Sequence, residues 1–190
     1  MVVKNISKYD NYSGENHTAE QKFKIIMPFI VLPFIAILFS CDEPEKVSPA
    51  EKIVVINELM PHNATVVADQ DGEYDDWFEL YNTSPAPVDL SGFFVTDNRD
   101  NLTKWEIPSS TIIQGNGYLI FWADEDGTQA GLHLNFKLSA LGEELLLVTP
   151  DLEIADEVAY GAQGEEMSYS RVPNGTGSFT WQAPTFDSMN

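Results

Sequence analysis

The stretch "DQDGEYDDWFELYN", residues 69–82, places five acidic side chains in eight positions and then turns into an aromatic, alternating run. In its second half Trp77, Glu79 and Tyr81 fall on one face of an extended chain and Phe78, Leu80 and Asn82 on the other, which is the period-2 signature of a strand. The acidic half reads as the loop that feeds this strand. Its carboxylates leave three alternatives open, a metal site, a catalytic cluster or a solvated loop.

Working outward from that strand, the chain from Ile53 onward consists of short runs rich in Val, Ile, Phe, Tyr and Trp, separated by Gly, Pro, Asn and Asp. Strands are expected near 53–60, 77–83, 92–97, 103–108, 117–123, 134–139, 144–149, 154–160 and 168–172. No window of helical length carries a 3.6 period. Short strands at regular spacing with turn chemistry between them define an all-β, antiparallel sandwich. The turns "SPAPVDLSG" (84–92) and "QGNG" (114–117) supply fixed φ from Pro and positive φ from Gly or Asn. Both faces of 117–123 are apolar, so this run is expected as a central strand. Trp77, Trp105, Trp122, Phe93, Phe94 and Phe121 are expected to fill the space between sheets.

Residues 1–40 read differently. Ile25 to Phe39 is an unbroken apolar run containing Pro28 and Pro33, preceded by Lys22 and Lys24. It is shorter than the roughly 20 residues a spanning helix needs, and its prolines disfavour a helix interior, so it reads as an export signal preceded by a polar extension. "LFSC", residues 38–41, resembles a bacterial lipobox, which implies cleavage before Cys41 and lipidation of its thiol. Cys41 is the only cysteine, which excludes a disulfide scaffold. Residues 42–52, "DEPEKVSPAEK", then form a charged tether between the lipidated residue and a domain at 53–190. More than one acyl chain holds a protein firmly on a bilayer, so the expected product is membrane-tethered through its N-terminal lipid. Asp42 and Glu43 resemble the surface-export signal of Bacteroidota lipoproteins, whereas Asp beside the cysteine retains enterobacterial lipoproteins at the inner membrane. The expected location is the outer membrane, with the periplasmic and surface-exposed faces both open.

Removing residues 1–40 takes away four lysines and three acids and moves the net charge from −20 to −21. A chain so acidic lacks the clustered Lys and Arg needed to displace counterions from phosphates, which argues against a nucleic-acid partner. It suits an exported soluble surface or a cation-binding one.

The segments "INELM", "DDWFELYNTS", "PVDLSGFFVTD", "KWEIP", "GYLIFWADEDGTQAGLHLNFKLSALGEELLLV" and "SYSRVPNGTG" follow one another in the order seen in bacterial lamin tail domains, and residues 56 to about 177 resemble that family. The resemblance implies an immunoglobulin-like β-sandwich without enzymatic activity. It also implies a module of exported proteins that attaches to a protein, a glycan or a partner at the cell envelope. An alternative is a scaffold or accessory subunit of an exported hydrolase, calcium-dependent in one version.

The residues themselves offer little for nucleophilic catalysis. His62 and His133 stand in no Ser- or Cys-centred arrangement and read as loop or surface histidines. No short His or Cys spacing suggests zinc, and no Gly-rich phosphate loop is present. Calcium fits better, because it takes six to eight hard oxygens, which acidic loops provide. "DQDG" (69–72) and "DEDG" (124–127) share a D-x-D-G start, although Leu80 and Asn135 stand where an EF-hand would have its twelfth-position Glu. In an antiparallel sandwich the loops 61–76, 98–102 and 124–133 emerge at one end. They would bring together Asp69, Asp71, Asp75, Asp76, Asp97, Asp100, Asp124 and Asp126 as candidate Ca²⁺ ligands. This parity holds only if "TII", residues 111–113, forms no strand of its own. Such a pole is either a hydrated surface that keeps the domain soluble or a cation site.

Overall fold

A computed structural model describes residues 52–190; the expected export signal, Cys41 and the expected tether up to residue 51 lie outside the described residues. The chain forms β1 (Val54–Met60), β2 (Asp76–Asn82), β3 (Val88–Asp89), β4 (Phe94–Thr96), β5 (Trp105–Glu106) and β6 (Ile112–Ile113). It continues with β7 (Tyr118–Ala123), β8 (Gly142–Val148), β9 (Ile154–Gly161), β10 (Ser168–Val172) and β11 (Ser178–Gln182). One sheet has the order β11-β10-β1-β2-β7, a second the order β5-β4-β8-β9, and β3 and β6 form a small ribbon. Every strand pairing is antiparallel. Among the described residues there is no helix.

The core lies between the two larger sheets, as the alternation along each strand requires. Phe78 and Leu80 from β2, Phe121 from β7 and Leu145 and Leu147 from β8 all meet there, fully or almost fully buried. Phe78 and Phe121 stack at 4.8 Å with their planes 7° apart, and Trp105 meets Phe121 edge-on at 5.9 Å.

β1 is the middle strand of its sheet and is buried along all seven residues. Its register slips between Ile56 and Glu58, a bulge that lets both Ile56 and Leu59 reach the core although they are an odd number of residues apart. Side chains occupy the backbone groups at this irregularity. Asp156 of β9 accepts the Ile56 N–H at 2.8 Å, and Arg171 of β10 donates to the Ile56 carbonyl at 2.9 Å. Arg171 also pairs with Asp156 at 3.1 Å, and Lys52 reaches the same carboxylate at 2.6 Å. The two sheets are thereby clamped at the bulge.

Several sequence expectations need correction. The 117–123 run is a strand, but as β7 it lies at the edge of its sheet. Its outer side is covered by the following segment, through Trp122 N to Leu132 O at 2.8 Å and Leu134 N to Trp122 O at 2.7 Å. Both of its faces are apolar because Leu119 and Phe121 face the core while Ile120 and Trp122 join the cluster around Met60 and Trp77.

The expected strand at 134–139 has the right period, with Leu134, Phe136 and Leu138 buried and Asn135 and Lys137 exposed. It is held only by the isolated bridges Trp122 to His133 and Asp124 to Lys137, and so is no ladder strand. β3 and β11 lie outside the expected strands, and β6 falls in the "TII" run, which the sequence leaves open as a strand. β3 and β6 are too short for a two-residue period to show, and β11 lies in a run with polar Ser178, Thr180 and Gln182 on its alternate positions. Trp77 and Trp122 do not fill the space between the sheets. With Met60 they form a second cluster on the outer face of the larger sheet.

Candidate functional site

The strand "TII" does exist as β6, yet the loops after β1 and β7 still share one end of the domain. β6 pairs only with β3 in the separate ribbon, while β1 and β7 are both antiparallel to β2 and therefore run parallel to each other. The 61–75 and 124–133 loops are tied by Gln70 Nε2 donating to Ala130 O at 2.6 Å and Gln129 Nε2 donating to Glu73 Oε2 at 2.7 Å.

At the base of this loop pair a buried Asp124–His133 pair is joined by the exposed Gln70. His133 Nδ1 is 2.5 Å from Asp124 Oδ2, and His133 Nε2 is 2.8 Å from Gln70 Nε2. An amide nitrogen can only donate, so His133 accepts at Nε2 and donates from Nδ1 to Asp124. The side chains of His133 and Asp124 are 1% and 4% exposed, and the His133 ring lies along Trp122, 23° from parallel. His133 is therefore a core histidine that joins the loops, in contrast to the expected surface residue; His62 is exposed. Replacing His133 with Ala should cost about 1–3 kcal/mol in urea unfolding, because Asp124 then keeps a buried, unpaired oxygen.

Above the pair of Asp124 and His133, Asp69 organises its own loop. Its Oδ1 accepts the N–H groups of Asp71 at 2.9 Å and Glu73 at 2.8 Å, and its backbone N–H reaches Glu73 O at 2.9 Å. Gly72 turns the chain with a φ of 87°, a left-handed conformation that suits glycine. These bonds draw Asp69, Glu73 and Asp75 together, with one carboxylate oxygen of each within 4.8 Å of the others. Asp69 is 9% exposed, and the buried Oδ2 atoms of Asp69 and Asp75 have no hydrogen-bond partner among the described residues. Burial, and after it the charges of Asp124, Asp69 and Glu73, pushes the Asp75 carboxyl above its ordinary range. Asp76, the first residue of β2, is raised to about 6 by burial against the opposing effect of the Asn63 N–H.

The remaining candidates stand apart from this trio. Asp71 and Asp100 are exposed. Asp97 is held by Lys104 at 2.6 and 2.7 Å, and Arg99 on the same loop pairs with Glu144 and Glu157. The 98–102 loop and the residues beside it thus carry their own cations, Arg99 and Lys104. The two D-x-D-G motifs also differ in shape. Asp124 Oδ1 accepts the Asp126 N–H at 3.0 Å, much as Asp69 does for Asp71. In "DEDG", however, the left-handed residue is Glu125, with a φ of 64°, and Asp126 turns outward to Thr128, whose hydroxyl and amide hold its carboxyl below the usual range.

Glu73 was not singled out from the sequence, and only its place in the Asp69 turn marks it. Two clefts open where β1 begins, of about 450 and 660 Å³. Neither is lined by a histidine or by two carboxylates.

An antiparallel immunoglobulin-like β-sandwich whose loops gather carboxylates at one pole is thus the class of protein defined by the fold and the site. The sequence model of the Lamin Tail Domain family matches residues 48–162, more than half of the chain, and the protein belongs to that family of non-catalytic β-sandwich domains. No curated protein matches the sequence.

Proposed function

We propose that the protein is a lipid-anchored, non-catalytic module of the cell envelope whose acidic loop pole binds a divalent cation of the calcium type. The observation that carries this reading is the Asp69, Glu73 and Asp75 trio, in which two buried carboxylate oxygens have no hydrogen-bond donor among the described residues. Hard oxygens held close together in a pre-formed turn suit Ca²⁺, with backbone carbonyls and water completing its shell. A bound cation would also offset the burial and, after it, the repulsion by neighbouring carboxylates that raise Asp75. Beside the trio, Gln70 of the same loop reaches His133 and Ala130 O and so ties this loop to the one after β7.

The direct test is a calorimetric titration of the full chain with calcium. Saturable binding is expected, together with loss of most of the affinity on Asp69→Asn or Asp75→Asn; heats unchanged by both substitutions would overturn the reading. Because ligation needs ionised carboxylates and Asp75 is shifted upward, affinity should fall steadily as the titration is repeated at more acidic pH. Anchoring has its own check. Mass spectrometry of the membrane fraction should find Cys41 as a lipidated N-terminus, and an unmodified, uncleaved Cys41 would remove the envelope part of the proposal.

A further inference from the structure

The outer face of the larger sheet holds a feature unrelated to the acidic pole. Glu58 of β1 and Glu79 of β2 are cross-strand partners, and both are fully buried. Carboxylates placed directly opposite each other repel, and burial deepens the cost. No lysine or arginine pairs with either of them among the described residues.

The segment 185–187 supplies donors for three of their four oxygens. Thr185 gives its N–H to Glu58 Oε1 at 3.0 Å and its hydroxyl to Glu58 Oε2 at 2.6 Å, and the Asp187 N–H reaches Glu79 Oε2 at 2.8 Å. The fourth oxygen takes Asn57 Nδ2 at 2.9 Å. Between these donors Phe186 packs edge-on against Trp77 at 5.0 Å and tilted against Trp122 at 5.7 Å, over Met60. Trp77 Nε1 is a buried donor without an acceptor among the described residues.

This is how a groove reads a peptide. An aromatic anchor enters an apolar pit while fixed acceptors take the backbone N–H groups on either side of it. The segment is also held in a conformation it would not choose alone, since Phe186 and Asp187 have φ of 35° and 54°, left-handed values that side-chain-bearing residues rarely adopt. Only Ala183 and Pro184 join it to β11.

We propose that the Glu58, Glu79, Trp77 and Trp122 face is a peptide-recognition groove occupied by the chain's own 185–187 segment. The partner it fits is a peptide presented by another chain, with an aromatic side chain between two free backbone N–H groups. Such a peptide competes with the resident segment, so its apparent affinity is lowered by the fraction of molecules in which the groove is closed.

The test uses the full chain and a fluorescent synthetic peptide of residues 183–190, APTFDSMN, read by anisotropy. Two variants weaken the resident segment's hold without altering the groove walls, although Thr185 and Asn190 keep their own bonds to Glu58, Asn57, Asn174 and Arg171. Phe186→Ala removes the anchor, and Asp187→Pro removes the N–H to Glu79 and requires a negative φ. Each should bind the peptide at least about tenfold more tightly than the parent chain, while a peptide with Ala in place of Phe should bind neither. The proposal is overturned if a variant that melts cooperatively fails to take up the peptide, or if the Ala peptide binds as well as the Phe peptide.

Discussion

Replacing Asp156 with Ala is expected to destabilise the domain by about 3–5 kcal/mol, the range for removing one partner of a buried ion pair. Asp156 is fully buried and serves three groups at once, the Ile56 N–H, Arg171 and Lys52. Its loss leaves the Arg171 guanidinium, whose side chain is 16% exposed, without its carboxylate, and frees the backbone at the β1 bulge. Lys52 contributes little to this cost because its side chain is 52% exposed. Denaturant unfolding should show the full loss for Asp156→Ala and a loss below about 1 kcal/mol for Lys52→Ala. Equal effects of the two substitutions would mean that the clamp on Ile56 is not what joins the sheets.

The second large effect depends on pH. Burial pushes the Glu79 carboxyl up to about 8 from an ordinary value of 4.5, with the charge of Glu58 adding to the rise and the Asn57 amide opposing it. The native state therefore holds this proton more tightly than the unfolded chain does. Its stabilising contribution is complete below pH 4.5 and is lost as pH rises through about 8, an effect on the order of a few kcal/mol. Asp76 acts in the same direction at lower pH, so the parent slope alone is not specific. Glu79→Gln should flatten the dependence and make the variant more stable than the parent above pH 8. A parent and a variant with parallel stability profiles would contradict the assignment.

How far the sequence foretold this structure depends on the scale of the signal. Strands with several alternating residues, such as 54–60 and 76–82, were legible within a residue or two, because burying one face demands the alternation. The two-residue strands β3 and β6 were not legible, since no period can be read in two residues. The edge position of β7 was misread because both of its faces pack against apolar residues, one in the core and one in the cluster around Met60 and Trp77.

At the acidic pole the convergence of two loops followed from strand direction alone, but membership of the trio did not. The sequence gives eight aspartates equal standing, and the structure separates them by local partners. Asp97 has Lys104, Asp126 has Thr128, and Asp124 has His133, whereas Asp69 and Asp75 keep an oxygen without a donor. The Glu58 and Glu79 pair was hidden for a related reason. A glutamate on the alternating face of a strand reads as solvent-facing, and nothing near either residue announces that residues 185–187 return to cover them.

The central claim is that the loop after β1 holds a cation site at Asp69, Glu73 and Asp75, and thermal unfolding of the full chain in millimolar calcium against chelator tests it most directly. A ligand that binds only the folded state stabilises it by about 2.7 kcal/mol at a hundred times its dissociation constant, which for a domain of this size raises Tm by roughly 8 °C or more. A calcium-dependent rise that disappears in Asp69→Asn is the predicted result. An unchanged Tm at millimolar calcium would leave the acidic pole as a hydrated surface and contradict the account.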